Sequence, residues 1–163
     1  METLANAWAQ ANEHKKAIPA LEKAASLSDK GLLYARLAGV HFDAGDFSKA
    51  VTASKKADKK GGLKRKDNNL MLMGMARFNI KDYEGALQAF RQAKQSKKSF
   101  GDARKWEKYT LSELERLRAL EESKFVLAEK TKETLESDES NVDAIGKSML
   151  KDQRADEEAH LKK

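Results

Sequence analysis

The sequence predicts an all-α fold, a right-handed array of three helical hairpins followed by a long helix and a terminal helix. One outline occurs three times, and the alanine that anchors its second half recurs as Ala17, Ala50 and Ala86, which are 33 and 36 residues apart. A recurrence of about 34 residues is typical of stacked helical hairpins. The chain also contains a single proline, and 36% of its residues are charged against 40% hydrophobic. This composition favours long helices in a thin layer, and the alternating patterns that strands need are rare.

The first hairpin is predicted to extend to about residue 29. Leu4 and Trp8 lie on its first helix, and Asn12-Glu13-His14 forms the turn. Pro19 is expected in the first turn of the second helix, where its missing N–H has no intrahelical partner to lose. The contact positions of this second helix are small or apolar, namely Ala17, Leu21 and Ala24.

The second hairpin is predicted to open near Lys30-Gly31, with a first helix from about Leu32 to Ala44. Gly45-Asp46 forms the turn, and the second helix begins at Ser48 and reaches about Lys60. Gly61-Gly62 ends that helix, because glycine readily takes the left-handed conformation of a helix cap.

The third hairpin opens on an Asp-Asn-Asn sequence at residues 67–69, which is typical of a helix start. Its first helix is predicted to continue through Phe78, and residues 81–83 turn the chain into a second helix over about 84–96. The small side chain of Ala86, like that of Ala93, lets the two helices approach closely. The larger Phe90 is expected to fill the space between hairpins.

After residue 100 the outline stops, which predicts three parts for the chain: hairpins over 1–100, a long capping helix over 101–136, and a turn with a C-terminal helix over 137–163. One flank of the long helix can cover the open end of the last hairpin, as terminal repeats require. The apolar and aromatic residues of its first part are Trp106, Tyr109, Leu111, Leu114, Leu117 and Leu120. The turn is predicted at the polar Ser137–Asn141 sequence.

Charge is distributed unevenly, since residues 1–120 have a net charge of +10 and residues 121–163 a net charge of −4. The densest basic stretch comprises Lys55, Lys56, Lys59, Lys60, Lys64, Arg65 and Lys66. Such a stretch attracts nucleic acid or anionic lipid, but no aromatic residues are interleaved for base stacking. We interpret it as a solvated helix end and loop, and expect no specific nucleic-acid binding.

Residue content argues against an enzyme and against a cofactor. Cysteine is absent, which excludes disulfides, thiolate metal sites and cysteine nucleophiles. The histidines His14, His41 and His160 are scattered, and no phosphate-binding glycine loop is present. Glu157-x-x-His160 has the spacing of di-iron carboxylate bundles, but no second such sequence exists. No apolar run approaches the length of a membrane span, and the N-terminus has no signal-peptide pattern.

The repeated outline resembles the tetratricopeptide repeat, whose pattern is W-x2-L-G-x2-Y followed by A-x3-F and P. The third copy is the nearest, with Leu70-x-x-Met73-Gly74-x-x-Arg77 followed by Ala86-x-x-x-Phe90-x-x-Ala93. His41 and Arg77 replace the aromatic residue, Ser54 replaces the Phe, and the closing Pro is missing from every copy. The resemblance covers about residues 1–100 and implies a protein-binding scaffold.

Two further resemblances are more local. Residues 30–120 are similar to repeats of bacterial tetratricopeptide proteins associated with TonB systems, through 37–42, 57–62 and 103–106. That similarity implies a periplasmic adaptor. In the tail, Met149-Leu150-Lys151 together with the Glu157-x-x-His160 sequence resembles the last helix of ferritin-like hydroxylases of the quinone pathway. Without a second such sequence we expect surface charge there and no metal.

In tetratricopeptide arrays the first helices of the hairpins line a concave face, which predicts the partner-binding residues. They are Asn6, Gln10, Arg36, Asp43, Met71, Met75 and Asn79. A basic clamp for a terminal carboxylate is not expected, because only Asn6 matches it and Glu2 and Met71 occupy the lysine positions. Met71 and Met75 can form an adaptable apolar floor, or pack against the neighbouring hairpin.

Three functional hypotheses follow. The first is a non-enzymatic scaffold that binds a peptide or protein partner on its concave face. The second is an engineered or recombined chimera of natural helical fragments with no natural ligand, joined near Glu121-Glu122-Ser123. The opposite charge and different resemblance of the tail favour this second hypothesis. A metal enzyme is a remote third.

Overall fold

Six α-helices account for the fold over residues 13–161, which are the residues that the computed structural model describes. They are α1 (His14–Leu27), α2 (Leu32–Asp43), α3 (Phe47–Lys60), α4 (Lys66–Asn79), α5 (Tyr83–Ala93) and α6 (Phe100–Leu161). Within the described range there is no strand. By its internal contacts the chain divides into two units, Met1–Glu115 and Arg116–Lys163.

The helices of the first unit pack in sequence order. Helices α2 and α3 form one hairpin, α4 and α5 form the next, and α1 and α4 pack against α2 and α3 respectively. Helix α1 is therefore the second helix of the predicted first hairpin. The first helix of that hairpin, with Leu4 and Trp8, lies outside the described residues.

The three anchor alanines are fully buried where the helices meet. Ala17, Ala50 and Ala86 each expose 0% of their surface, which confirms the prediction made from their spacing. Because alanine ends at Cβ, helices that cross at these residues approach closely and bury apolar surface on both sides. At the end of α1 the fully buried residue is Ala25, whereas Ala24 is only half-buried.

A close approach of backbones joins the start of α2 to the end of α3. The Gly31 N–H donates to the Gly61 carbonyl oxygen at 2.9 Å. A β-carbon at Gly31 would lie 2.1 Å from the carbonyl oxygen of Ala57. Only glycine fits here, and Gly61 itself ends α3 with a φ of 71°, as the sequence predicted.

Helix α1 places its proline differently from the sequence prediction. The helix begins at His14, so Pro19 is its sixth residue and lies beyond the first turn. A proline here removes a backbone hydrogen bond to the carbonyl group four residues earlier, that of Lys15. Lys15 is exposed, so water can solvate this carbonyl group and limit the cost.

The first turns of α6 pack against the third hairpin. Ala103 and Thr110 are fully buried, and the Trp106 ring stacks on Phe90 with centroids 5.5 Å apart. Glu107 forms ion pairs with Arg91, which lies in α5, and with Lys94, which follows the last residue of α5. These contacts cover the apolar side of α5 that would otherwise face water.

The predicted turn at Ser137–Asn141 is wrong, because α6 continues as one helix of 62 residues from Phe100 to Leu161. The five residues include neither glycine nor proline. Serine, aspartate and asparagine each cost less than about 0.7 kcal/mol relative to alanine inside a helix, so polarity alone does not end one. The prediction mistook a polar sequence for a helix-breaking one. In the second unit nearly all described side chains are exposed.

Candidate functional site

Two adjoining cups lie on the first unit and share three lining residues. The first cup, of about 600 Å³, lies between the start of α2 and the loop and first turns that open α4. The second cup, of about 490 Å³, lies between α4 and the start of α6. Arg65, Asn68 and Leu72 line both cups and form the ridge between them. We call the two cups and this ridge the groove.

The floor of the groove is apolar. Leu32, Ala35 and Leu63 line the first cup, and Met71, Met75 and Trp106 line the second. Leu32 exposes 45% of its surface. Trp106 is held in place by Phe90 on one side and by an edge-to-face contact with Phe78, at 5.7 Å, on another. These ring contacts hold Trp106 in place, while the apolar side chains of the groove remain accessible to water.

The arginine of the ridge is fixed by a buried carboxylate. Arg65 donates from Nε to Asp67 Oδ1 at 2.9 Å and from Nη2 to Asp67 Oδ2 at 2.8 Å. Asp67 exposes 8% of its surface and also accepts from the Ser99 hydroxyl at 2.7 Å. The hydrogen bond from Arg65 has the largest effect on the Asp67 carboxyl, followed by that from Ser99. Together they hold the pKa of this carboxyl well below its usual range. The network ties the start of α4 to the loop before α6.

The rim of the groove is basic. Among the described residues that line the two cups, six are cationic and one is a carboxylate. The cationic residues are Lys30, Arg36, Lys64, Arg65, Lys98 and Lys105. The carboxylate, Asp102, lies 3.9 Å from Lys105 Nζ, and both side chains are largely exposed. Summed over these lining residues, the groove carries a net positive charge.

The predicted partner-binding residues are distributed unevenly over this site. Arg36 lines the first cup, and Met71 and Met75 line the second. Asp43 is exposed at the end of α2 and lines neither cup. Asn79 also lies outside the cups, and its side-chain amide donates to the Met75 carbonyl oxygen at 2.8 Å. Asn6 and Gln10 lie outside the described residues.

Several groove residues were missed by reasoning from the sequence. Lys30, Lys64 and Lys98 belong to the loops that precede α2, α4 and α6, whereas the prediction considered only the first helices of the hairpins. The recurrence of a lysine near each junction between hairpins was the available signal. Trp106 was predicted only to cover the last hairpin, yet it also lines the second cup.

Two of the smaller pockets elsewhere on the first unit lie one repeat apart. One, of about 320 Å³, is lined by α1, α2 and α3, and the other, of about 290 Å³, by α3, α4 and α5. His41 and Arg77 occupy equivalent positions in them and lie 3.7 Å and 3.6 Å from the carboxylates of Asp46 and Asp82. Both pockets mix opposite charges, and each is smaller than either cup of the groove.

The described residues contain no group of three or more His, Cys, Asp and Glu side chains that could hold a metal ion. Over the same part of the chain, no helix combines the length and the apolar composition needed to cross a bilayer.

Two solved tetratricopeptide repeat (TPR) domains share this fold. The TPR domain of Arabidopsis OM64 superposes with a TM-score of 0.59 and 22% sequence identity, covering 67% of this chain and 89% of that one. The TPR domain of Sgt2 from Aspergillus fumigatus superposes with a TM-score of 0.59 and 20% identity, covering 71% of this chain and 78% of that one. The sequence matches no family model and no curated protein. The fold is an all-α TPR-type array of helical hairpins, as the alanine spacing predicted.

Proposed function

We propose that this protein is a non-enzymatic scaffold that binds a peptide or protein partner in the groove, on the concave face expected from the repeat pattern. One observation carries the proposal: an accessible apolar floor is bordered by charged and polar side chains. Isolated exposed apolar residues need no explanation, whereas a contiguous apolar surface with a polar rim is typical of a binding site.

Pre-ordering of the groove supports binding without a large entropic cost. Arg65 is fixed by Asp67, and Trp106 by the rings of Phe78 and Phe90. Side chains already held in place lose little freedom when a ligand arrives, so more of the contact energy becomes affinity. Met71 and Met75 are flexible and polarisable, and they can adapt to ligand side chains of different shape.

The sequence alone supports four further binding residues and a cellular setting. Asn6 and Gln10 would extend the binding face onto the first hairpin, and Asp43 and Asn79 would lie at its far edge. The similarity of residues 30–120 to TonB-associated repeats supports a periplasmic adaptor as the setting.

A matched pair of leucine substitutions tests the proposal. Leu32→Glu places a charge on the floor of the first cup, and Leu27→Glu places the same charge on a leucine of α1 that is 78% exposed and lies outside the groove. Both positions are exposed at helix ends, so both variants are expected to fold, which circular dichroism verifies. Leu32 is also the first residue of α2, where a carboxylate favours the helix dipole.

The ligand for this test comes from a random peptide library selected against the intact chain. Fluorescence polarisation then measures the affinity of each variant for the selected peptides. We expect Leu32→Glu to weaken binding by at least about tenfold and Leu27→Glu to leave it unchanged. Failure to select any peptide, or equal binding by both variants, would refute the proposed function.

A second candidate, the recombined or engineered chimera without a natural ligand, is favoured by one observation. The boundary between the two units, at Glu115 and Arg116, lies close to the junction proposed near Glu121-Glu122-Ser123. Separate similarity of residues 1–120 and 125–163 to unrelated natural proteins would support it. Similarity of one natural protein to the whole length would refute it.

A further inference from the structure

The apolar floor of the groove widens at two places. Leu32 and Leu63 line the first cup, Met75 and Trp106 line the second, and the ridge at Leu72 lies between them. A ligand that fills both cups must therefore present two apolar side chains with a connecting segment across the ridge. Burial of each such side chain contributes about 1.5–3 kcal/mol at most, so the two anchors alone give modest affinity.

The lysines of the rim are divided between the two cups. Lys30 and Lys64 line the first cup, and Lys98 and Lys105 line the second. They come from three different loops and from α6. A single terminal carboxylate can reach only one such place. A run of acidic side chains along a ligand can meet several.

Arg65 is not the main source of this positive charge. Its guanidinium group is already paired with the buried Asp67 carboxylate and also donates to Asn68 Oδ1 at 2.6 Å. The rim lysines are long and exposed, so they can follow carboxylates at different positions. Each exposed pair contributes little by itself, but several together speed association and disfavour cationic ligands.

We infer that the groove binds an internal acidic segment of a partner protein, with two apolar side chains in the two cups and flanking carboxylates against the rim lysines. This inference rests on the proposed function and names the chemical class of its ligand. The ligand needs no free C-terminal carboxylate. Charge complementarity selects this occupant, because four lysines line the two cups and Asp102 is the single carboxylate among the described lining residues.

Composition of the peptides selected from the random library is the first test. We expect enrichment of Asp and Glu between or beside two apolar residues. For the best peptide, replacing every Glu by Gln and every Asp by Asn is expected to weaken binding by about tenfold at low salt. Amidation of its C-terminus is expected to change affinity by less than about twofold. Binding should also weaken as salt rises, since salt screens exposed charges.

Charge reversal on the rim gives a second, independent test. The double substitution Lys64→Glu with Lys98→Glu reverses one lysine of each cup. The control, Lys81→Glu with Lys108→Glu, makes the same change in net charge at exposed lysines outside the groove. We expect the rim variant to bind the acidic peptide at least about tenfold more weakly and to prefer a lysine-substituted version. The control should keep the affinity and preference of the unmodified chain.

The outcomes separate this inference from the proposed function. Selection of neutral or basic peptides whose binding is still lost in Leu32→Glu would overturn the acidic ligand and leave the scaffold standing. Selection of no peptide would overturn both. A strong requirement for the free C-terminus would also overturn the internal segment.

Two other occupants are tested in parallel. In a competition assay, single-stranded RNA and unlabelled peptide are each used to displace the labelled peptide. If RNA does so at the lower concentration, the ligand is a nucleic acid and the inference of a protein partner is overturned. Sedimentation velocity is expected to give a monomer for the intact chain. Dimerisation that the Lys64→Glu/Lys98→Glu variant abolishes would make a second copy of this chain the occupant and would overturn the inference.

Discussion

The ring of Phe90 fills the space that a β-carbon at Gly74 would occupy. A β-carbon built there would lie 2.5 Å from Phe90 Cε1. In the preceding hairpin the equivalent positions hold Ala38 and Ser54, both fully buried. In the third hairpin the smaller Gly74 on the first helix faces the larger Phe90 on the second. In the second hairpin Ala38, which is larger than Gly74, accompanies Ser54, which is smaller than Phe90.

Gly74→Ala is expected to destabilise the protein by about 1–2 kcal/mol. Phe90 is completely buried and stacks on Trp106, so it cannot move aside cheaply. Overpacking of this kind costs about 1–3 kcal/mol, and the gain in helix propensity of up to about 1 kcal/mol offsets part of it. Urea denaturation monitored by circular dichroism measures the free energy of unfolding.

The matched control is Gly39→Ala, at a helical glycine whose added β-carbon meets no atom within 4 Å. This change is expected to stabilise the protein by about 0.5–1 kcal/mol. Equal effects of the two substitutions would contradict the packing argument. Adding Phe90→Leu to Gly74→Ala should recover part of the lost stability.

Gly31→Ala is expected to be more damaging, by about 2 kcal/mol or more, because its contact is with backbone. The Ala57 carbonyl group belongs to the last turn of α3 and cannot rotate away as a side chain can. The substitution should also break the hydrogen bond from the Gly31 N–H to Gly61. Gly101→Ala, with no atom within 4 Å of the new β-carbon, is the control. A melting temperature for Gly31→Ala equal to that of Gly101→Ala would show that the loop relaxes freely.

Asp67→Asn is expected to cost about 1–3 kcal/mol at neutral pH, since it weakens charge-assisted hydrogen bonds of a buried carboxylate. The folded-state pKa of Asp67 lies below its ordinary value of 3.8. The unfolded chain therefore takes up this proton first as pH falls, and the stabilisation is complete well above pH 3.8 and declines below it. The variant should show a shallower loss of stability in acid.

The control for Asp67 is Asp58→Asn, which removes a more exposed carboxylate at 3.0 Å from Lys66 Nζ. Surface pairs contribute about 0–1 kcal/mol, so this change should be small at every pH. Denaturation curves collected from neutral to acidic pH distinguish the two. An unchanged acid limb in Asp67→Asn would argue that the network contributes nothing to folding.

His41 is expected to make stability fall as the solution is acidified below about pH 6.5. Burial lowers the pKa of His41, Lys49 lowers it further, and Asp46 and Glu22 oppose the shift. The unfolded chain therefore binds this proton more readily than the folded one, so stability is lost as pH falls through the unfolded value. His41→Gln should remove this part of the pH dependence, and His14→Gln should retain it. Unfolding free energies measured between about pH 7.5 and 5 decide the matter.

Much of the fold followed from local pattern. The burial of Ala17, Ala50 and Ala86, the end of α3 at Gly61 and the order of the hairpins were all predicted, because each depends on residues within one repeat. The position of Pro19 and the continuity of α6 through Ser137–Asn141 were predicted wrongly. In both cases the prediction gave more weight to one type of residue than to the helix around it. The hydrogen bonds of that helix tolerate residues of low helix propensity, and also a single proline.

The candidate site was only partly predictable. Arg36, Met71 and Met75 were found because they occupy first-helix positions with a regular spacing. Lys64 and Lys98 were not, since loop residues follow no helical period and their neighbours depend on how successive hairpins stack. By itself the sequence determined that paired helices stack in order, because small residues at repeated positions let neighbouring helices approach closely and bury apolar surface. Only the tertiary structure decided which loops and which face of α6 meet the first helices, because that depends on the angle and offset between repeats.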